Sequence, residues 1–204
     1  MKNALTLLFF LFAFNITAQD SHTKEIMDYR YEQNLNFHDR NKSPLTKEDQ
    51  KTFTALDFYK IDKKYKVLAT LVKEKNPVIF GMQTTTDRKP LYIKYGVITF
   101  TIDGKQQQLN IYQNKDFGRD PQYKDYLFLP FTDKTSGSTS YGGGRYVDVS
   151  TTNENANGTE ITIDFNKVYN PYCAYSGRYS CPITPKENHI TVPIKAGVKA
   201  YKKH

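Results

Sequence analysis

Three regimes of hydrophobic patterning divide the chain. The first is an apolar run from Ala4 to Phe14, behind Lys2 and ahead of the small residues Thr17 and Ala18. This is the charged, apolar and cleavage order of a secretory leader, and the run is well short of the roughly twenty residues of a permanent membrane span. A cut after Ala18 is expected. The second regime, Ser21 to Asn41, sets Ile26, Tyr29, Arg30, Gln33 and Phe37 at three-to-four spacing, without Gly or Pro, and predicts an amphipathic helix. Ser43-Pro44-Leu45-Thr46 breaks it. Thr46 with Asp49 resembles a capping box opening a second helix to about Leu56, and the pair is expected to act as a lid or clamp on a sheet.

From Tyr65 onward the pattern is that of strands. Tyr65 to Val72, Val78 to Phe80 and Leu91 to Ile102 are rich in β-branched and aromatic residues. Asp103-Gly104 supplies the positive φ angles of a type I′ hairpin turn, and counting outward from it puts Ile98, Phe100 and Ile102 on one core face with Leu109 and Ile111. Further strands are expected at Tyr126 to Pro130, Arg145 to Ser150 and Glu160 to Asn166. Short strands with turn punctuation and few helices argue a mainly β, single-domain fold, its antiparallel sheet curled into a barrel or sandwich. The division expected is a leader at 1–18, a helical segment at 19–52 and a mainly β domain at 53–204.

Composition changes this picture little. The 204 residues suit one core, and the formal charge of +8 becomes +7 once Lys2 leaves with the leader. The lysines are scattered, which favours anionic envelope material over neutral partners. An exported chain without a basic helix or an aromatic-basic motif argues against nucleic acid as a partner. No transmembrane segment is expected after leader removal, and no cofactor motif is seen.

The most distinctive stretch runs from Leu127 to Pro193. It holds Phe131-Thr132-Asp133, Tyr141-Gly142-Gly143-Gly144-Arg145, Asp164-Phe165-Asn166, Tyr169-Asn170-Pro171, Cys173, Cys181-Pro182 and Glu187-Asn188-His189. In that order these pieces resemble the bacterial and archaeal domain-of-unknown-function family numbered 1684. The resemblance reaches upstream through Phe58-Tyr59 to Tyr65 and covers about Phe53 to Ala200. It brings no assigned activity with it.

The chemistry must therefore be read from residues. The glycine run lacks the context of a nucleotide phosphate cradle, so it is either a sharp turn or a backbone approach to a ligand. Alternation points Arg145 to the side of Val147 and Val149, where a guanidinium needs a partner from the Asp133 to Gly137 loop or the Asp164 to Asn170 segment. Asp133 with Thr135, Ser136 and Gly137 makes a capped polar loop, or one half of a hydrolytic dyad with Asp164. Cys173 and Cys181 in an exported chain are expected to be joined; metal ligation together with His189, or unpaired thiols, are the alternatives. His189 could also serve as the base for a cysteine nucleophile. Tyr141, Tyr146, Tyr169, Tyr172, Tyr175 and Tyr179 crowd this half, where rings could stack on a sugar or on one another.

Two functions remain open. One is an envelope binding or accessory module for a small polar or anionic ligand, built from Tyr141, Arg145, Asp164, Asn166, Tyr169, Asn170 and Asn188. The other is a hydrolase of envelope carbohydrate or ester, with Asp133 or Asp164 as acid or base, His189 a further candidate, and Arg145 holding an anionic group.

Overall fold

A computed structural model describes residues 21–117 and 120–201, so the expected leader lies outside the described residues. Helix α1 occupies 21–38, with Ile26 and Phe37 buried. The helix expected through Asn41 stops earlier because the Asp39 side chain accepts from the Asn41 amide at 2.8 Å, closing a turn. Helix α2 (Lys47–Thr52) begins as expected, with the Asp49 amide donating to Thr46 Oγ1 at 3.1 Å. It ends four residues before Leu56 because tertiary contacts win over local preference. Phe53 is extended and packs its ring 5.6 Å from that of Phe37, and the Leu56 amide donates to Asn34 on α1 at 2.8 Å.

Among the described residues seven strands follow: β1 (Lys66–Lys73), β2 (Phe80–Gly81), β3 (Leu91–Ile102), β4 (Lys105–Asn114), β5 (Tyr126–Phe131), β6 (Arg145–Ser150) and β7 (Glu160–Asp164). They form one antiparallel sheet in the order β6-β5-β4-β3-β1-β7, with β2 attached to β3. The sheet curls into a half-barrel. The Asp103-Gly104 turn has φ angles of 50° and 72°, which sets the Ile102↔Lys105 register and places Ile98, Phe100, Ile102, Leu109 and Ile111 together in the core as expected. Val78 and Ile79 lie exposed outside β2, and the strand expected to reach Asn166 ends at Asp164 in a short 3-10 turn, Phe165–Lys167.

The concave interior is filled from both sides. Leu127, Leu129, Val147, Val149, Ile161 and Ile163 come from the sheet, and Ile190, Val192, Ile194 and Ala196 from the C-terminal tail. Each Val, Leu or Ile among them contributes about 1.5 to 3 kcal/mol on burial, and Ala196 less. The tail alternates like a strand but, among the described residues, joins no sheet. Some of its backbone groups bond to other backbone, as Ile190 N does to Thr132 O (2.8 Å) and Val198 N to Val168 O (3.0 Å), and others are met by side chains. Arg145 Nη1 donates to the carbonyls of Ala196 (2.7 Å) and Val198 (3.1 Å), and Nη2 donates to Ile194 O (2.7 Å) and Asp133 Oδ2 (2.7 Å). The Arg145 and Asp133 side chains have no solvent exposure. Asp133 Oδ1 also accepts from the Thr135 amide at 2.5 Å, so the capped loop and the ion pair are one structure.

Candidate functional site

Strand register builds the site on the face opposite this core. Residues directly paired across antiparallel strands share a face. The pairs Phe128↔Asp148, Tyr112↔Phe128 and Tyr92↔Asn114 therefore lay one patch over the outer surface of β3 to β6. Met82, Tyr92, Tyr112, Phe128 and Tyr146 are buried there as a second cluster. The segment 169–182 lies over Tyr92, Phe128 and Tyr146. Its Tyr169 exchanges backbone hydrogen bonds with Tyr146 at 2.9 and 3.0 Å, and the Tyr146 hydroxyl donates to Pro182 O. The sulfurs of Cys173 and Cys181 lie at disulfide distance, with Cα atoms 6.2 Å apart, and fasten this segment into a loop.

The cover leaves a cleft of about 520 Å³, within the size range of small-molecule sites. Seven tyrosines line it, among them Tyr126 and Tyr146 from the sheet, Tyr169, Tyr172 and Tyr179 from the covering segment, and Tyr29 from α1. Tyr29 donates to Lys167 O at 2.9 Å, so α1 closes one wall. At the floor, Asp148 Oδ1 accepts from both Tyr169 (2.5 Å) and Tyr126 (2.8 Å). Among the described residues no hydrogen bond reaches Oδ2. The cleft mouth keeps Asp148 open to solvent, yet protein crowds it on most other sides. That desolvation raises its pKa above the ordinary carboxylate value, opposed by the two tyrosine donors. Burial and the Asp148 charge in turn push the Tyr126 and Tyr169 phenols upward, so both keep their protons and remain donors.

The residues named from the sequence are dispersed. Of the candidate ligand set, Tyr169 lines the cleft. Arg145 and Asp133 form the interior clamp. Asp164 binds His22 of α1, Oδ2 to Nε2 at 2.7 Å, and accepts from Asn166 at 2.9 Å, so the Asp133 and Asp164 carboxylates share no partner. The pairing of Arg145 is with Asp133 and not with Asp164. Asn166 bonds both backbone groups of Asp62, at 3.1 and 3.0 Å, and Asn170 donates to Lys199 O at 2.9 Å. Asn188 ties β4 to β5. His189 Nδ1 sits 3.0 Å from Thr132 Oγ1 on the surface. Tyr141 is half-buried beside the glycine turn, where only Gly144 has a positive φ, 93°. Sequence reasoning passed over Asp148, because a lone acid on the far side of β6 reads as solvated. The available signal was β5, whose Tyr-Leu-Phe-Leu-Pro-Phe run does not alternate and so predicts a strand covered on both faces.

No helix among the described residues is long and apolar enough to cross a membrane. No curated protein matches the chain. Among solved structures, the uncharacterized protein from gene locus rrnAC0354 of Haloarcula marismortui, determined by solution NMR, is 31% identical, with a TM-score of 0.70, covering 92% of this chain and 99% of its own. The family model described as "Protein of unknown function (DUF1684)" matches residues 51–199, and the chain therefore belongs to that family.

Proposed function

We propose that this chain is a binding module for a small polar ligand held in the Asp148 cleft. The observation that carries the reading is a carboxylate lining a ligand-sized, aromatic-walled space, with one oxygen locked by two tyrosines and the other without a hydrogen bond among the described residues. The locked oxygen fixes the rotamer, and Oδ2 is the acceptor that would orient a bound group. Most ring hydroxyls are already committed: Tyr126 and Tyr169 to Asp148, Tyr146 to Pro182, Tyr29 to Lys167. What the walls present is ring surface, suited to stacking. Hydrolysis of a glycoside calls for two carboxyl groups across the scissile bond, and Asp148 is the one carboxylate among the described lining residues, which favours binding over hydrolysis.

A thermal-shift screen of sugars, amino acids and amines against wild type and Asp148→Asn tests this. A compound at a hundred times its Kd should add about 2.7 kcal/mol to the wild type. The same compound should add little to the variant, whose amide oxygen still accepts from both tyrosines. Hits that stabilise both proteins equally would place binding elsewhere and remove the proposal.

We also propose that the protein works outside the cytoplasm, supported by the leader-like pattern of Lys2 and Ala4 to Phe14 and by the Cys173–Cys181 pair. Intact-mass measurement on protein from its native host should show a chain beginning near Gln19. Recovery with Met1 to Ala18 attached would refute export with cleavage.

A further inference from the structure

We propose that the group recognised by Asp148 is an organic cation, of the ammonium class, seated against the tyrosine rings; this rests on the cleft being the binding site. The first reason is charge. Asp148 is a crowded carboxylate, and no cation forms a salt bridge to it among the described residues; its partners are the neutral hydroxyls of Tyr126 and Tyr169. Two cations do line the cleft, but neither pairs with Asp148, although Arg88 keeps its charge because its partners are neutral. Lys167 Nζ is 2.5 Å from Glu25 Oε1, and the Arg88 guanidinium donates to Ser180 O at 2.8 Å and to Ser180 Oγ at 3.2 Å. A carboxylate crowded by protein and without a salt-bridge partner is less well solvated than a free one, and a cationic ligand offsets part of that loss.

The second reason is the walls. The Tyr146 ring stands at 74° to Phe128 and at 90° to Tyr169, with centroids 4.7 and 5.9 Å away, so the three rings meet as the corner of a box. Ring faces carry the negative part of the aromatic quadrupole and attract an ammonium group, most strongly where water is excluded. A neutral sugar would use the same faces for stacking but would do nothing for the carboxylate charge. Both features therefore select a positive, bulky head group over an uncharged one of the same shape.

Choline and its uncharged carbon isostere, 3,3-dimethylbutan-1-ol, are the probes, titrated into the full chain and followed by NMR. Choline should bind at least about tenfold more tightly than the isostere. Asp148→Asn should lose at least that factor. Tyr172 sits 44% exposed on the cleft rim, so Tyr172→Leu removes a wall without touching the core and should weaken choline several-fold even if the Asp148 variant folds poorly. Equal binding of the isostere, or an Asp148-dependent neutral ligand with no response to choline, would overturn the cation assignment and leave the cleft as a binding site. Failure of every probe to bind in an Asp148-dependent way would remove both readings.

Discussion

Alanine at Arg145 is expected to destabilise the fold by about 3 to 5 kcal/mol, the range for breaking a buried ion pair from one side. The loss goes beyond Asp133. Without the guanidinium, the carbonyls of Ile194, Ala196 and Val198 lose their donors inside the core, and the tail that plugs the half-barrel loses its anchor. Replacing the pair together, Asp133→Leu with Arg145→Met, removes the stranded carboxylate but not the stranded carbonyls. The double variant should therefore recover only part of the stability, unlike ion pairs whose sole task is to neutralise each other. Chemical denaturation gives the comparison. An Arg145→Ala protein within 1 kcal/mol of wild type would show that the tail is held by packing alone, a result at odds with the four short hydrogen bonds described above.

Asn188→Ala is expected to cost on the order of 3 kcal/mol, from the loss of three hydrogen bonds, one buried and two part-buried, that leaves Pro130 O without this donor in the interior. Strands β4 and β5 share a register at Tyr112↔Phe128 and then diverge. The Asn188 amide fills the gap, accepting from Asn110 N at 3.0 Å and donating to Asn110 O at 2.8 Å and Pro130 O at 2.7 Å. One side chain thus stands in for a missing stretch of strand. Hydrogen exchange at the Asn110 amide should accelerate in the variant even under conditions where the rest of the sheet stays protected. Unchanged exchange there would mean that the two strands close on each other when the side chain is removed.

The same two residues mark how far the chain could be read in one dimension. Alternation in β6 placed Arg145 inward with Val147 and Val149, and the inward carboxylate proved to be Asp133, one of the partners that reading allowed. Nothing local distinguishes Asn188, Asn166 or Asn170 as ligand groups from Asn188, Asn166 and Asn170 as backbone staples, because an amide can meet either demand with the same donors and acceptor. The tyrosine crowding was visible too, and Tyr146, Tyr169, Tyr172 and Tyr179 do share the cleft. Its centre was missed because Asp148 becomes special only when Tyr126, 22 positions earlier, and Tyr169, 21 positions later, converge on one oxygen.

The sequence by itself determined what depends on near neighbours: the helix and strand periods, the Asp-Gly hairpin with its register, the inward face of each long strand, and the family motifs. Those follow from dihedral preferences and from a period of two or three to four residues, which a few consecutive side chains suffice to define. Tertiary structure decided which polar groups are buried, who satisfies them and where the remaining space lies. Those outcomes depend on contacts between segments distant in the chain, such as the tail against β6, α1 against Lys167 and the cysteine loop over β5. Their energies come from desolvation in a shared interior, a property of the assembled sheet and its covers and of no single stretch.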